Sequence, residues 1–164
     1  MSFHLRRATA ADSDALWDML EPVIRDGETY ALDRDMSREA ALAAWIESPR
    51  VSWIATNDEG TALATFYVKP NQQGGGNHIC NAGFVTSPRA RGLGIGRWMG
   101  GRAIEEATAL GYAAMQFNFV IASNAVAVRL WRGLGFIIIG TVPDAFRHPR
   151  LGLVDAYVMY RRLG

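Results

Sequence analysis

Apolar residues recur along this chain with two periods, and their alternation predicts the order of its elements. Residues 3–7 read as a short strand. Thr9 then stands where a helix N-cap would, ahead of Asp12 and the apolar spacing Leu16, Met19, Leu20, Val23, and Gly27 closes that helix. Glu28, Thr29 and Tyr30 open a polar connection to a second helix, capped by Ser37 and running through Trp45 and Ile46. Residues 51–56 and 62–68 are strand-like on either side of Asn57-Asp58-Glu59-Gly60 and form a hairpin.

After a Gly, Gln and Asn-rich loop at 70–77, residues 79–86 regain strand character, and Gly83 within them predicts a bulge. From 94 to 110 the residues Ile95, Met99, Ala103, Ala107 and Leu110 follow a helical spacing that Gly111 ends. Residues 113–121 read as a strand, alternating Met115, Phe117 and Phe119 with Gln116 and Asn118. Asn124 caps a further helix with the stripe Ala127, Leu130, Trp131, Leu134, closed by Gly135. Residues 136–139 and 153–160 are closing strands, joined by a Pro-containing loop that holds Asp144, Arg147 and His148. This predicts one α/β domain over 1–164 with a mixed sheet, a crossover joining the strand before Pro88 to the strand near Ala113.

Composition narrows the function. With 49% hydrophobic residues, 20% charged residues and a formal net charge of +1, the chain is unlike a nucleic-acid binder. Cys80 is the one cysteine, which excludes an internal disulfide and a cysteine-based metal framework and reads as a buried structural thiol. No run of eighteen apolar residues occurs, and residues 1–8 carry charge without an apolar stretch. The expectation is a cytoplasmic protein without metal, membrane or nucleic-acid partner.

The basic residues are almost all arginine, Lys69 being the one lysine, and Arg89, Arg91, Arg97 and Arg102 bracket a glycine-rich stretch. Within it, Arg91-Gly92-Leu93-Gly94-Ile95-Gly96-Arg97 joins a strand to a helix. Glycines let backbone N–H groups approach an anion, and a first helical turn adds unpaired donors and the positive end of its dipole, which together suit a pyrophosphate. No Gly-Lys-Ser/Thr follows, so this is not a Walker loop, and the G-x-G-x-G spacing lacks the acidic residue of a dinucleotide fingerprint.

Arg91, Gly94 and Gly96, with Pro88 before them, resemble the Arg/Gln-x-x-Gly-x-Gly/Ala signature of the GNAT superfamily of acyl-CoA-dependent N-acetyltransferases. Asn124-x-x-Ala127-x-x-Leu130-Trp131 and Gly135-Phe136 resemble its second pattern, in the same order and separation. The resemblance covers about residues 79–140. It implies that the backbone of Arg91, Gly92, Gly94, Gly96 and Arg97 cradles the pyrophosphate of acetyl-CoA. It also implies a sheet splayed between strands 79–86 and 113–121, where pantetheine pairs with exposed backbone reaching Thr86. An N–H near Phe84 would polarise the thioester carbonyl, and Asn124 would bond the pantetheine arm. Dimers are common in the family, so a homodimer belongs to the same implication.

Where the family often has a tyrosine that protonates the departing thiolate, this chain has Trp131, a candidate for contact with the cofactor whose indole is a donor and not a usable acid. A thiol of ordinary pKa leaves tolerably without one. The carboxylate some relatives use as a base is missing from strand 79–86, which leaves Glu28, His78 and Asp155 as candidates. The run His78-Ile79-Cys80-Asn81-Ala82-Gly83-Phe84, with Asn118 and Asn124, looks like the fungal branch that acetylates L-azetidine-2-carboxylate and related proline analogues. That comparison puts Asn81, Phe84 and Asn118 against the substrate, and Glu28 and Tyr30 are further candidates for binding it. The expected activity is acetyl transfer from acetyl-CoA, by direct attack, to the amine of a small molecule such as an amino acid. The alternatives are acetylation of a protein N-terminus or lysine, and a CoA-binding module without turnover.

Overall fold

The computed structural model describes residues 1–47 and 50–164. Among them the strands are β1 (His4–Arg7), β2 (Val51–Thr56), β3 (Ala62–Pro70), β4 (Ile79–Thr86), β5 (Ala114–Ile121), β6 (Ile137–His148) and β7 (Gly152–Arg162). The helices are α1 (Ser13–Asp26), α2 (Arg38–Ile46), α3 (Ile95–Ala109) and α4 (Ala125–Gly133). The strands form one mixed sheet in the order β1-β2-β3-β4-β5-β7-β6, antiparallel except where α3 carries the chain from β4 to its parallel neighbour β5. The mixed α/β architecture expected from the alternating periods is the one observed.

Both faces of the sheet are covered. On β2, Ile54 points to one face and Trp53 and Ala55 to the other, as the two-residue period requires. Ile54 and Val85 meet Leu16, Met19, Leu20 and Ile24 of α1 and Ala41 and Trp45 of α2. Trp53, Phe66, Val68 and Met115 meet Ile95, Met99, Ala103 and Ala107 of α3 and Trp131 of α4. Cys80 is fully buried in this second core, and burial pushes its thiol pKa up to about 12.

Thr9 caps a single 3₁₀ turn, residues 10–12, instead of α1 itself. The Asp12 carboxylate accepts the Thr9 N–H at 2.8 Å and two bonds from the Arg6 guanidinium at 2.7 and 2.9 Å, tying β1 to the start of α1.

Two expectations are corrected. Gly83 makes no bulge, because β3 and β4 pair in unbroken register through Tyr67↔Gly83. Its missing side chain serves a close approach: a Cβ there would lie 2.5 Å from Cε1 of the Tyr67 ring. The irregularity is in β5, where Phe117 pairs with Met159 but Val120 pairs with Tyr157, one residue too many at Asn118-Phe119. The Pro-containing loop is also strand. β6 runs to His148, and Pro143 and Asp144 are taken up where the β6–β7 register shifts between Val142 and Phe146. A bulge accepts proline, which has no N–H to give a ladder. Asp144 adopts φ 50° there, and its N–H donates to Oδ1 of Asp155 at 3.0 Å.

Candidate active site

The site is a fork in the sheet. Along β4 the odd-numbered residues face β3: Ser87 N–H donates to Leu63 C=O, and Ile79 C=O accepts from Asn71 N–H, both at 2.8 Å. The even-numbered residues therefore face β5. Pairing with β5 holds only at Ile79↔Ala114 and Cys80↔Met115, after which the strands diverge. Asn81 Nδ2 clamps the base of the fork, donating to Gln116 C=O at 3.0 Å. Beyond it, the backbones of Ala82, Phe84 and Thr86 face the gap.

A cavity of about 880 Å³ runs through this gap. Thr86, Arg91, Gly92, Gly94, Gly96, Arg97, Asn124 and Trp131, singled out for the cofactor, all line it. So do Glu28, Tyr30, Asn81, Phe84 and Asn118, singled out for the acceptor.

At the glycine loop, residues 91–94 are exposed and Gly94 caps α3 with φ 74°, a left-handed conformation that favours glycine. The first helical bond is Trp98 N–H to Gly94 C=O at 3.2 Å, so the N–H groups of Ile95, Gly96 and Arg97 precede the ladder. Arg91 N–H turns back toward Pro88 C=O at 3.4 Å, which engages one of the five amides expected to cradle an anion. Of the four bracketing arginines, Arg91 and Arg97 line the cavity, whereas Arg102 is held by Glu105 and Glu106 on its own helix.

These features coincide with a known family: residues 15–136 match the Acetyltransferase (GNAT) family. The chain belongs to that family. This acetyltransferase is 34% identical over 151 residues to the N-acetyltransferase aca1 of Schizosaccharomyces pombe, covering 82% of this chain and 72% of that protein. A GCN5-related N-acetyltransferase from Kribbella flavida superposes with a TM-score of 0.93 and 38% identity over 98% of both chains. A phosphinothricin acetyltransferase from Sinorhizobium meliloti, in complex with AcCoA, shares the fold at TM-score 0.86 and 24% identity, over 100% of this chain and 90% of that one.

Within the acetyltransferase, Trp131 belongs to an aromatic cluster as well as to the cavity wall. Its ring centroid lies 4.6 Å from Phe84 and 4.7 Å from Phe117. Asn124 caps α4, its side-chain oxygen accepting from Ala127 N–H at 3.2 Å while Nδ2 remains a donor. The Phe84 N–H expected to polarise a carbonyl is engaged: it donates to the Tyr30 hydroxyl at 2.7 Å, and that hydroxyl donates to Phe84 C=O at 2.8 Å.

Of the three candidate bases only Glu28 lines the cavity. His78 is exposed and lies outside it, and Asp155 lies outside it on the β6–β7 hairpin. Two partners escaped the sequence reading. Arg150, in the turn after β6, holds Glu28 at 3.0 Å, and Asn71 accepts from Asn118 Nδ2 at 2.7 Å. Neither carries a local signal, because each contact joins segments distant in sequence. Asn118 sits in the β5 bulge and is exposed, and its oxygen accepts from Gln116 Nε2 at 3.1 Å. Among the described residues no cluster of three or more His, Cys, Asp or Glu gathers to hold a metal ion, and no helix is long and apolar enough to cross a membrane.

Proposed function

We propose that this acetyltransferase takes its acetyl group from acetyl-CoA and passes it to the amine of a small molecule that also carries a carboxylate, such as an amino acid or proline analogue. The observation that carries this reading is the one cavity joining the glycine loop, the open edge of β4 and the polar group Glu28, Asn81 and Asn118. The pyrophosphate rests on the N–H groups of Gly92, Gly94, Gly96 and Arg97, and the guanidinium groups of Arg91 and Arg97 add charge. Pantetheine enters the fork beside Thr86, with Asn124 Nδ2 as a donor.

The acceptor amine, as free base, attacks the thioester carbon directly. The C–N bond forms, the C–S bond breaks, and the thiolate leaves past Trp131 without needing a proton from the protein. The amine proton passes to solvent. Glu28 attracts the amine end of the acceptor, while the unused amide capacity of Asn81 and Asn118 serves its carboxylate. A reducing, cytoplasmic setting suits the buried and unpaired Cys80.

Thiol release from acetyl-CoA, measured across amines, amino acids, imino acids and peptides, tests the reading. The highest kcat/KM is expected on a small amino or imino acid. A peptide N-terminus or lysine as the best acceptor would replace that substrate class. Acetyl-CoA binding with no release on any acceptor would leave a module without turnover.

A further inference from the structure

Phe84 offers its N–H and C=O to the open side of β4, and both are occupied by one atom. The Tyr30 oxygen accepts from Phe84 N–H at 2.7 Å, and its proton goes to Phe84 C=O at 2.8 Å. Tyr30 reaches this point from the connection between α1 and α2, and its ring packs edge-on against Trp45 with centroids 6.4 Å apart. Trp45 is itself fixed, donating through Nε1 to Thr65 Oγ1 at 2.9 Å in the buried core, where Thr65 in turn donates to Trp53 C=O at 2.8 Å. The phenol is thus anchored from behind and lines the cavity in front.

We infer that the Tyr30 hydroxyl, and not the Phe84 N–H directly, donates the hydrogen bond to the thioester carbonyl during acetyl transfer, which makes Tyr30 a catalytic residue of this chain. The inference rests on the reading of the fork as the acetyl-CoA site. Three observations support it. Ejecting an aromatic ring held by Trp45 and two short bonds is a large rearrangement, whereas turning one O–H from Phe84 C=O toward an arriving carbonyl oxygen needs only rotation about a single bond. The Phe84 N–H stays bonded to the phenol oxygen as the O–H turns, and such a chain polarises the outer O–H. Burial, with the neighbouring Tyr67 adding to it, holds the Tyr30 pKa well above the ordinary phenol value, so the group stays protonated and acts by hydrogen bonding.

The chemistry balances without a proton leaving Tyr30. The amine lone pair forms the C–N bond, the carbonyl π pair moves onto oxygen and is met by the Tyr30 O–H, and the pair returns as the C–S bond breaks. CoA leaves as thiolate, and the ammonium proton of the adduct passes to water. Phe84 C=O, released when the O–H turns, can accept from the attacking amine.

The test combines Tyr30→Phe with isotope-edited infrared spectra of acetyl-CoA labelled at its carbonyl carbon. In the unsubstituted protein the bound carbonyl stretch is expected to fall below its value in water. Tyr30→Phe should return the band toward the free value and lower kcat by about a hundredfold or more, with acetyl-CoA affinity changed less than about threefold. Should Tyr30→Phe fold poorly, 3-fluorotyrosine at position 30 keeps the ring and makes a stronger donor, and the band is expected to fall further. An unshifted band, an unchanged kcat, or markedly tighter acetyl-CoA binding in Tyr30→Phe would overturn the assignment, the last outcome marking Tyr30 as a plug displaced by the cofactor. Failure of the unsubstituted protein to bind acetyl-CoA would overturn the site itself along with it.

Discussion

Trp131 lies tilted at 48° on Phe84, in a cluster that also stacks Phe117 on Phe136 at 4.5 Å. At 7% exposure it is a core residue that also shows an edge to the cavity, and its indole does not titrate in the range of enzyme assays. The rate should therefore show no alkaline loss from this position. Trp131→Tyr is expected to leave turnover within about tenfold, less than about 1.4 kcal/mol of barrier. A pH–rate profile of both proteins checks this; a gain of several orders of magnitude would mean that the leaving thiolate does need an acid.

Acetyl-CoA should raise the thermal midpoint, by mass action on the folded state. Gly94→Glu should abolish that shift, but at φ 74° any side chain adds strain of about 1–2 kcal/mol. Gly96 separates charge from strain, because a Cβ there meets only Leu130 Cδ2 at an ordinary 3.6 Å. Gly96→Glu is expected to keep most of the midpoint of the free protein and lose the acetyl-CoA shift, read by scanning fluorimetry with and without the ligand. A preserved shift in folded Gly96→Glu would move the pyrophosphate away from this loop.

The three asparagines should separate in kinetics. Asn124→Ala removes the α4 cap, costing about 1 kcal/mol of stability, and weakens acetyl-CoA. Asn118→Ala should raise the acceptor KM or lower kcat while sparing acetyl-CoA affinity. Asn118→Asp should be worse than alanine, because it replaces the donor to Asn71 Oδ1 with an acceptor and meets a carboxylate substrate with like charge. Asn81→Ala should resemble Asn118→Ala and in addition lower the melting temperature, since it removes the bond to Gln116 C=O at the base of the fork. Initial rates with each substrate varied in turn decide among these; wild-type efficiency in folded Asn81 and Asn118 variants would remove both from the acceptor site.

Acid sensitivity should trace in part to Asp12. The Arg6 guanidinium foremost, then the Thr9 N–H, holds its carboxyl below the ordinary range against the opposing effect of burial. A lowered folded pKa means that the stabilisation is complete above the unfolded carboxylate value of about 4 and fades as pH falls through the folded one. Asp12→Asn should cost about 1–2 kcal/mol at neutral pH and flatten the loss of stability below pH 4. Urea melts of both proteins across that range measure the difference.

Most of the elements were legible because each rests on a local signal, such as a cap at Asn124, a glycine run at 92–96 or a period of two or of 3.6, whereas Asn81, Phe84 and Asn118 were singled out by the resemblance to the family. What escaped depends on tertiary register. Gly83 resembles a bulge in one dimension, but in the sheet it is the gap beneath the Tyr67 ring. The β5 bulge is invisible in Phe117-Asn118-Phe119, which alternates well on paper; only the pairing with Met159 and Tyr157 shows Phe119 turned outward. Pro143 suggested a loop because its accommodation depends on a partner strand that lies beyond the turn. The engagement of Phe84 by Tyr30 could not be read from either residue's neighbours.

The short pairing of β4 with β5 also bears on the mechanics of the sheet. Strands β1 to β4 make one ladder and β5, β7 and β6 another, and the two share only the pairs Ile79↔Ala114 and Cys80↔Met115 at one end. Above that short seam no β4–β5 backbone pairing joins the two halves, and side-chain packing spans the gap instead, with Phe84 of β4 set edge-on against Phe117 of β5 at 5.8 Å and both rings against Trp131. Widening the gap would break no ladder bond in either half but would cost these aromatic contacts, so the resistance of this sheet to opening lies in a few side chains that single substitutions can change.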